Sequence, residues 1–198
     1  MQRIFEPGHF PPYTELDIFL DVIQGNAEKV PVFLSHCHAD LKDEHFKQIL
    51  KLLGALSHGR IQLYIDSQDS SLPKITDVQT AKILQDNISS SKKFIAIVTN
   101  GFLESKWCVG ELWFATAKEA DIAIIIVSEK GEAFTGTEYM NMYPYVSYSD
   151  GDESFSDGQP IPKGYYLLRP NEDGSVVAED FEGWISCVKK SYLGYDRT

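Results

Sequence analysis

Glu111 is the residue of this chain whose type disagrees with its position. It lies in Ser105-Lys106-Trp107-Cys108-Val109-Gly110-Glu111-Leu112-Trp113-Phe114-Ala115, where helical spacing puts Trp107 and Ala115 one turn away on either side and makes Cys108 and Phe114 its three-residue neighbours. All four are apolar or nearly so. A carboxylate on such a face is costly unless it is paired, hydrogen-bonded or kept for use. Turned to a lysine or to solvent it is an ordinary surface acid; turned into a cleft it is available to chemistry.

A second concentration of reactive types is His36, Cys37, His38, Asp40 and His45. Imidazole and thiolate are good zinc ligands. No metal site is expected, because alternate positions leaving a strand are read as pointing to opposite sides and no second ligand pair is spaced to close the shell.

The elements that must position these groups follow from periodicity. Residues 30–34, 61–65, 94–98 and 122–127 are short apolar runs that read as strands, the unbroken run at 94–98 being the pattern of a strand covered on both faces and 122–127 the most buried candidate. Between them, Phe46, Ile49, Leu50, Leu53 and Leu56 mark a helix ending near Gly59. Val78, Ala81, Leu84 and Ile88 mark a second, opened by a capping box at Thr76–Gln79. The Trp107 to Glu111 segment is a third, running to about Ala120. The order β-α-β-α-β-α-β predicts a parallel sheet wrapped by helices through right-handed crossovers. In such a sheet the loops after the carboxyl ends of the strands form the ligand crevice. Ser35 and His36, Asp66, and Thr99 with Asn100 leave three strands at that rim, beside Glu111.

Residues 1–29 are expected to form an extension with an amphipathic helix marked by Leu16, Phe19, Leu20 and Ile23, packing on the domain or on a second copy. Residues 129–175 form an irregular tyrosine-rich insertion within a domain spanning 30–195. In it, 143–148 and 165–168 could be edge strands, and 149–160 is the stretch expected to be mobile. Phe181, Trp184, Ile185, Val188 and Tyr192 predict a last helix, with acids at its start and Lys189 and Lys190 at its end.

Composition narrows the partners. Of 198 residues, 18 are Lys or Arg and 29 are Asp or Glu, a formal charge of −11 with no basic run, so nucleic acid is not an expected partner. No apolar run approaches the roughly 20 residues of a membrane helix and the start lacks an export signal, so a soluble, cytoplasmic protein is expected. Cys37, Cys108 and Cys187 are too few and too scattered for a disulfide framework. Gly-Lys-Ser/Thr phosphate loops, a Gly-x-Gly-x-x-Gly turn and a Gly-x-Ser-x-Gly elbow are all missing. A phospho-receiver would need acids where this chain has Ser35-His36 and Thr99-Asn100.

Ser105 through Leu112 read Ser-x-Trp-Cys-x-x-Glu-Leu, and they follow an apolar strand ending in Ser35 and a second ending in Asp66. In this combination the chain resembles the Toll/interleukin-1 receptor (TIR) domain family over roughly 30–128. The resemblance implies a flavodoxin-like three-layer α/β sandwich with a central parallel sheet of order 2-1-3-4-5. It also implies, as in many members, an enzyme that cleaves the nicotinamide–ribose bond of NAD, with the essential carboxylate at Glu111. Phe33, Leu34, Ser35, His36, Asp66 and Trp107 are then expected to line the NAD site, with NAD as substrate and no separate cofactor. At His36 the chain departs from the Tyr or Arg of some members. Self-association through TIR–TIR contacts involving residues 67–75 is expected, as is a separate effector chain linked to the signal. A defence-signalling role follows, with ADP-ribose or a cyclic or conjugated derivative as product. A non-catalytic TIR interaction module is the alternative, and a nucleoside deoxyribosyltransferase-like enzyme a more distant one.

Overall fold

Of the four apolar runs, 30–34, 94–98 and 122–127 lie inside a seven-stranded sheet and 61–65 forms one of its edges. The computed structural model describes residues 29–39, 43–66, 78–128, 133–155 and 158–186. Strand β1 (Val30–His36) leads to helix α1 (Asp43–Leu56) and β2 (Ile61–Tyr64). Helix α2 (Val78–Ser90) then leads to β3 (Lys93–Val98), and the short α3 (Asn100–Glu104) and α4 (Lys106–Ala117) to β4 (Asp121–Ile126). After α5 (Tyr139–Met142) come β5 (Tyr145–Ser149), β6 (Gly164–Pro170), β7 (Val176–Asp180) and α6 (Phe181–Ser186). The sheet order is β2-β1-β3-β4-β5-β6-β7. Its first five strands are parallel in the expected order 2-1-3-4-5, and β6 and β7 add antiparallel pairs.

Alternation along the central strands builds a core on each face of the sheet. Phe94, Ala96 and Val98 of β3 and Ile122, Ile124 and Ile126 of β4 pack with Leu84 and Ile88 of α2 and Leu112 of α4. Their neighbours Ile95, Ile97, Ala123 and Ile125 pack on the other side with Leu52 and Leu53 of α1 and Phe181 of α6. This is why those runs are unbroken in the sequence: each residue has a helix layer to meet. Each fully buried Leu or Phe contributes about 1.5–3 kcal/mol relative to exposure. The helices are therefore held by their buried stripes rather than by intrinsic propensity.

Several boundaries differ from expectation for identifiable reasons. Helix α4 stops at Ala117 rather than near Ala120, because Glu119 takes a left-handed φ of 55° and Ala120 N–H closes back onto the Ala115 carbonyl. Helix α1 ends in the turn that Gly59 permits, with φ 68°. On α2 the expected Leu84 and Ile88 are buried, but at the start of the stripe Thr80 takes the place of Val78, which is 88% exposed, and of Ala81, which is only partly buried. The two expected edge strands are interior: β5 and β6 are paired with a strand on each side, and the edge at that end of the sheet is β7, which the irregular composition concealed. Within 149–160, Phe155 N–H donates to Gln159 O at 2.8 Å and Ile161 N–H to Glu153 O at 2.8 Å, giving that segment a bend with backbone hydrogen bonds. Residues 1–28, the 67–77 loop with its capping box, and the final helix beyond 186 lie outside the described residues.

Candidate functional site

Helix α4 is aimed at the rim by its own first residues. Ser105 closes α3 and caps α4, its Oγ accepting from Cys108 N–H at 3.3 Å. From that start, Cys108, Glu111, Leu112 and Ala115 fall on one buried stripe. Leu112 and Ala115 go into the core, whereas Cys108 and Glu111, nearer the helix start, face the end of β1. The Cys108 thiol donates to the His36 carbonyl at 3.6 Å, so the motif cysteine holds the strand's exit against the helix. Burial pushes that thiol up to about 12, which leaves it a packing group rather than a nucleophile.

Glu111 is 8% exposed. Ser35, 1% exposed, shares its strand face with Phe33 and donates its hydroxyl to Glu111 Oε2 at 2.5 Å. Desolvation by burial drives the Glu111 carboxyl from 4.5 up to about 8, the Ser35 hydrogen bond works against this, and the nearby Asp66 carboxylate adds to it. A surface acid turned to solvent or to a lysine is therefore not what Glu111 is. It is a buried carboxyl held close to the point where it changes protonation state at neutral pH.

Two cavities meet at this group. A polar one of about 390 Å³ is bounded by His36, His38, Asp66, Ser105, Trp107 and Glu111, with Thr80 and Leu84 of α2 at its wall. An apolar one of about 290 Å³ runs between α2 and α4, lined by Ala81, Leu84, Ile88, Trp107, Gly110 and Phe114, with Glu111 at its end. Ligand sites occupy roughly 300–1,000 Å³, so the pair offers room for a two-part molecule with Glu111 at the junction. Trp107, 42% exposed, borders both and is a wall rather than core. At Gly110 an added Cβ would meet no atom within 4 Å, so that backbone faces the open groove.

The other expected residues divide. Ser35, His36, Asp66 and Trp107 lie at the rim with Glu111. Phe33 and Leu34 do not: both side chains are fully buried, Phe33 stacked on Tyr64 and Phe94 on one face and Leu34 in the α1 core on the other. β1 is covered on both faces up to Ser35, so neither of these side chains reaches the rim. Thr99 caps α3 by accepting from Phe102 N–H at 3.0 Å, and Asn100 binds the 133–135 segment through Ala133 O and Thr135 N–H. Sequence reasoning missed Thr80, Leu84 and Gly110. The first two sit at ordinary core spacing, and a helical glycine gives no sign of what it faces.

The histidines also differ from expectation. Positions two apart on an extended segment share a side, and the rings of His36 and His38 lie 4.7 Å apart. Their nitrogens stand 3.8 and 3.9 Å from the same Asp66 oxygen. Asp40 and the side chain of His45 lie outside the described residues.

This geometry agrees with the comparison of the sequence with known families, in which residues 32–158 match the TIR domain. The chain belongs to the TIR domain family. The match covers the sheet from β1 to beyond β5, with the Ser35–Glu111 pair inside it. A curated relative, named a probable 3′ cyclic ADP-D-ribose synthase, ThsB', of Bacillus cereus (strain MSX-D12), is 28% identical over 120 residues. That match covers 59% of this chain and 60% of the relative, so the chain spans less than two thirds of that protein's length. No helix among the described residues is long and apolar enough to cross a membrane.

Proposed function

We propose that this TIR domain cleaves the nicotinamide–ribose bond of NAD, releasing nicotinamide and forming ADP-ribose or a cyclic or conjugated derivative of it. The observation that carries this reading is the buried Glu111 carboxyl, raised to about 8 and held by Ser35 at the junction of two cavities. NAD brings a cationic nicotinamide, and bond breaking moves positive charge onto the ribose through an oxocarbenium-like state. That charge favours the carboxylate form, so the desolvation that holds Glu111 protonated is offset only when substrate is present. Nicotinamide leaves as a neutral molecule and needs no general acid. With the Glu111 proton released to solvent as substrate binds, water then bonds to the anomeric carbon and gives its proton to the Glu111 carboxylate, yielding ADP-ribose. Where a nucleophile of the same nucleotide replaces water, the product is cyclic, and the name of the Bacillus cereus relative supports that branch.

In this role Ser35 orients Glu111, Trp107 forms the wall between the cavities, and Asp66 and His36 border the polar half. Phe33 and Leu34 support β1 from within the core. Self-association through TIR–TIR contacts, an effector chain that reads the product and a place in defence signalling in the cytoplasm complete the proposal. The free thiol of Cys108 fits a reducing compartment. The test is incubation of the pure chain with NAD, dilute and under self-assembly conditions, with products identified by mass spectrometry. Wild type is expected to release nicotinamide, and Glu111→Gln to lose at least about 100-fold of that rate. Equal release by both would overturn the role of Glu111. No release under any assembly condition, with binding to a second copy intact, would favour the non-catalytic interaction module.

A further inference from the structure

We propose that His36, His38 and Asp66 form a binding site for a divalent transition-metal ion of the zinc type at the rim of the Glu111 cavity. Two imidazoles and a carboxylate are a donor set that such ions take, whereas magnesium and calcium favour oxygen alone. One ligand atom from each of the three lies within 4.8 Å of the others. Both histidine nitrogens, Nδ1 of His36 and Nε2 of His38, converge on Oδ1 of Asp66. Tetrahedral ligands about 2.0–2.1 Å from a zinc ion stand roughly 3.3–3.4 Å apart, so closing the shell shortens each His–Asp distance by about half an ångström and draws the two imidazole nitrogens together by up to about 1.4 Å. His38 can supply these movements, because its side chain is 58% exposed.

The remaining parts of the cluster are already fixed. The His36 ring stacks on Phe46 of α1 with centroids 4.5 Å apart. Its backbone carbonyl accepts from the Cys108 thiol. Position 66 leaves the strand that pairs directly with β1, through Phe33 and Tyr64. Cys37, between the two histidines, packs with the opposite core, so the alternation that separates it from them brings His36 and His38 together. The open side of the cluster faces the polar cavity, where water or a ligand oxygen can complete the coordination. A bound ion ties the exits of β1 and β2 to each other and leaves Glu111 outside its shell. A metal ion can bind here whether or not the chain cleaves NAD, and it would share His36 and Asp66 with the cavity proposed for NAD.

The full chain, freed of metal with a chelator, is titrated with Zn²⁺ by calorimetry and with Co²⁺ as a spectroscopic substitute, and its Tm is followed against Zn²⁺ concentration. The expected result is one ion per chain with micromolar or tighter affinity, ligand-field bands of a low-coordinate nitrogen and oxygen site, and a saturable rise in Tm. His38→Ala removes an exposed ligand with little reason to disturb folding, and it is expected to weaken binding by at least about tenfold and to abolish the Tm rise. Asp66→Asn is expected to act in the same direction. Absence of saturable binding, or binding unchanged in both variants, would overturn the site.

Discussion

The sheet carries a carboxyl group largely withdrawn from solvent near each of its ends, Asp121 partly buried and Glu111 buried, and the two are treated in opposite ways. At the amino end of the parallel strands, Asp121 meets the ammonium of Lys93 at 2.9 Å, the indole N–H of Trp184 at 3.0 Å and the guanidinium of Arg169 at 3.5 Å. Lys93 is 3% exposed and also stands 4.2 Å above the Trp184 ring. At the carboxyl end, Glu111 has the Ser35 hydroxyl as its hydrogen-bond donor and the Asp66 carboxylate as a charged neighbour. A carboxylate matched by two cations and an N–H is a fastening that joins β3, β4, β6 and α6. A carboxyl buried beside another acid is destabilised when ionised, and a cationic ligand is what relieves it. The difference separates a structural ion pair from a site within one fold.

The comparison can be broken first through pH. Glu111 has a folded value of about 8 against 4.5, so between those values the folded state holds a proton that the unfolded chain has released. Stability from this group is fully present below pH 4.5 and is lost as pH rises to about 8. At 1.36 kcal/mol per unit the loss is on the order of 5 kcal/mol. Denaturant titrations from pH 5 to 9 are expected to show this as the difference between wild type and Glu111→Gln, the variant being the more stable at pH 8. A difference that stays flat with pH would mean that Glu111 is not a buried acid.

The opposite end should respond in the opposite manner. Lys93→Met leaves Asp121 without its nearest cation in a buried setting and is expected to cost roughly 3 kcal/mol, the low end for such a loss because Arg169 remains. Turnover by the folded fraction should be unchanged, measured per molecule after correcting for stability. A smaller effect is expected for Ser35→Ala. Its hydroxyl favours the ionised carboxylate, so its removal should move the rising limb of the pH–rate profile further above 8 and cut turnover at pH 7 about tenfold. Smallest of all, Gly110→Ala should gain about 0.5–1 kcal/mol from helix propensity with no clash. Gly110→Leu, which fills the groove, should raise KM for NAD while the helix remains formed by circular dichroism.

The contrast between the two ends also explains what could be read from the sequence. Glu111 was legible because both of its neighbourhoods, the helical stripe and the rim where strands end, lie within one short segment or follow from strand order. The central strands were legible because a run such as Ile122 to Val127 has core on both faces. The Asp121 fastening was not, since Lys93, Arg169 and Trp184 come from elements 28 to 63 residues away, and nothing local marks Asp121 as buried. Strands β5 and β6 were legible only as edge strands, because Tyr145, Tyr148 and Tyr165 also suit irregular packing, and β7 was not legible at all. Val177, at the sheet edge, is 47% exposed and gives no apolar alternation. The pairing of His36 and His38 was available from period two, but their meeting with Asp66 needed the register of β1 on β2.

Glu111 itself offers the most direct measurement. Its side-chain carboxyl carbon can be followed by NMR across pH 4 to 10 in wild type, assigned by the signal missing from Glu111→Gln. The expected midpoint is near 8, moving lower in Asp66→Asn as the repelling charge is removed. A midpoint near 4.5 would contradict the buried, poised carboxyl on which the proposed chemistry rests.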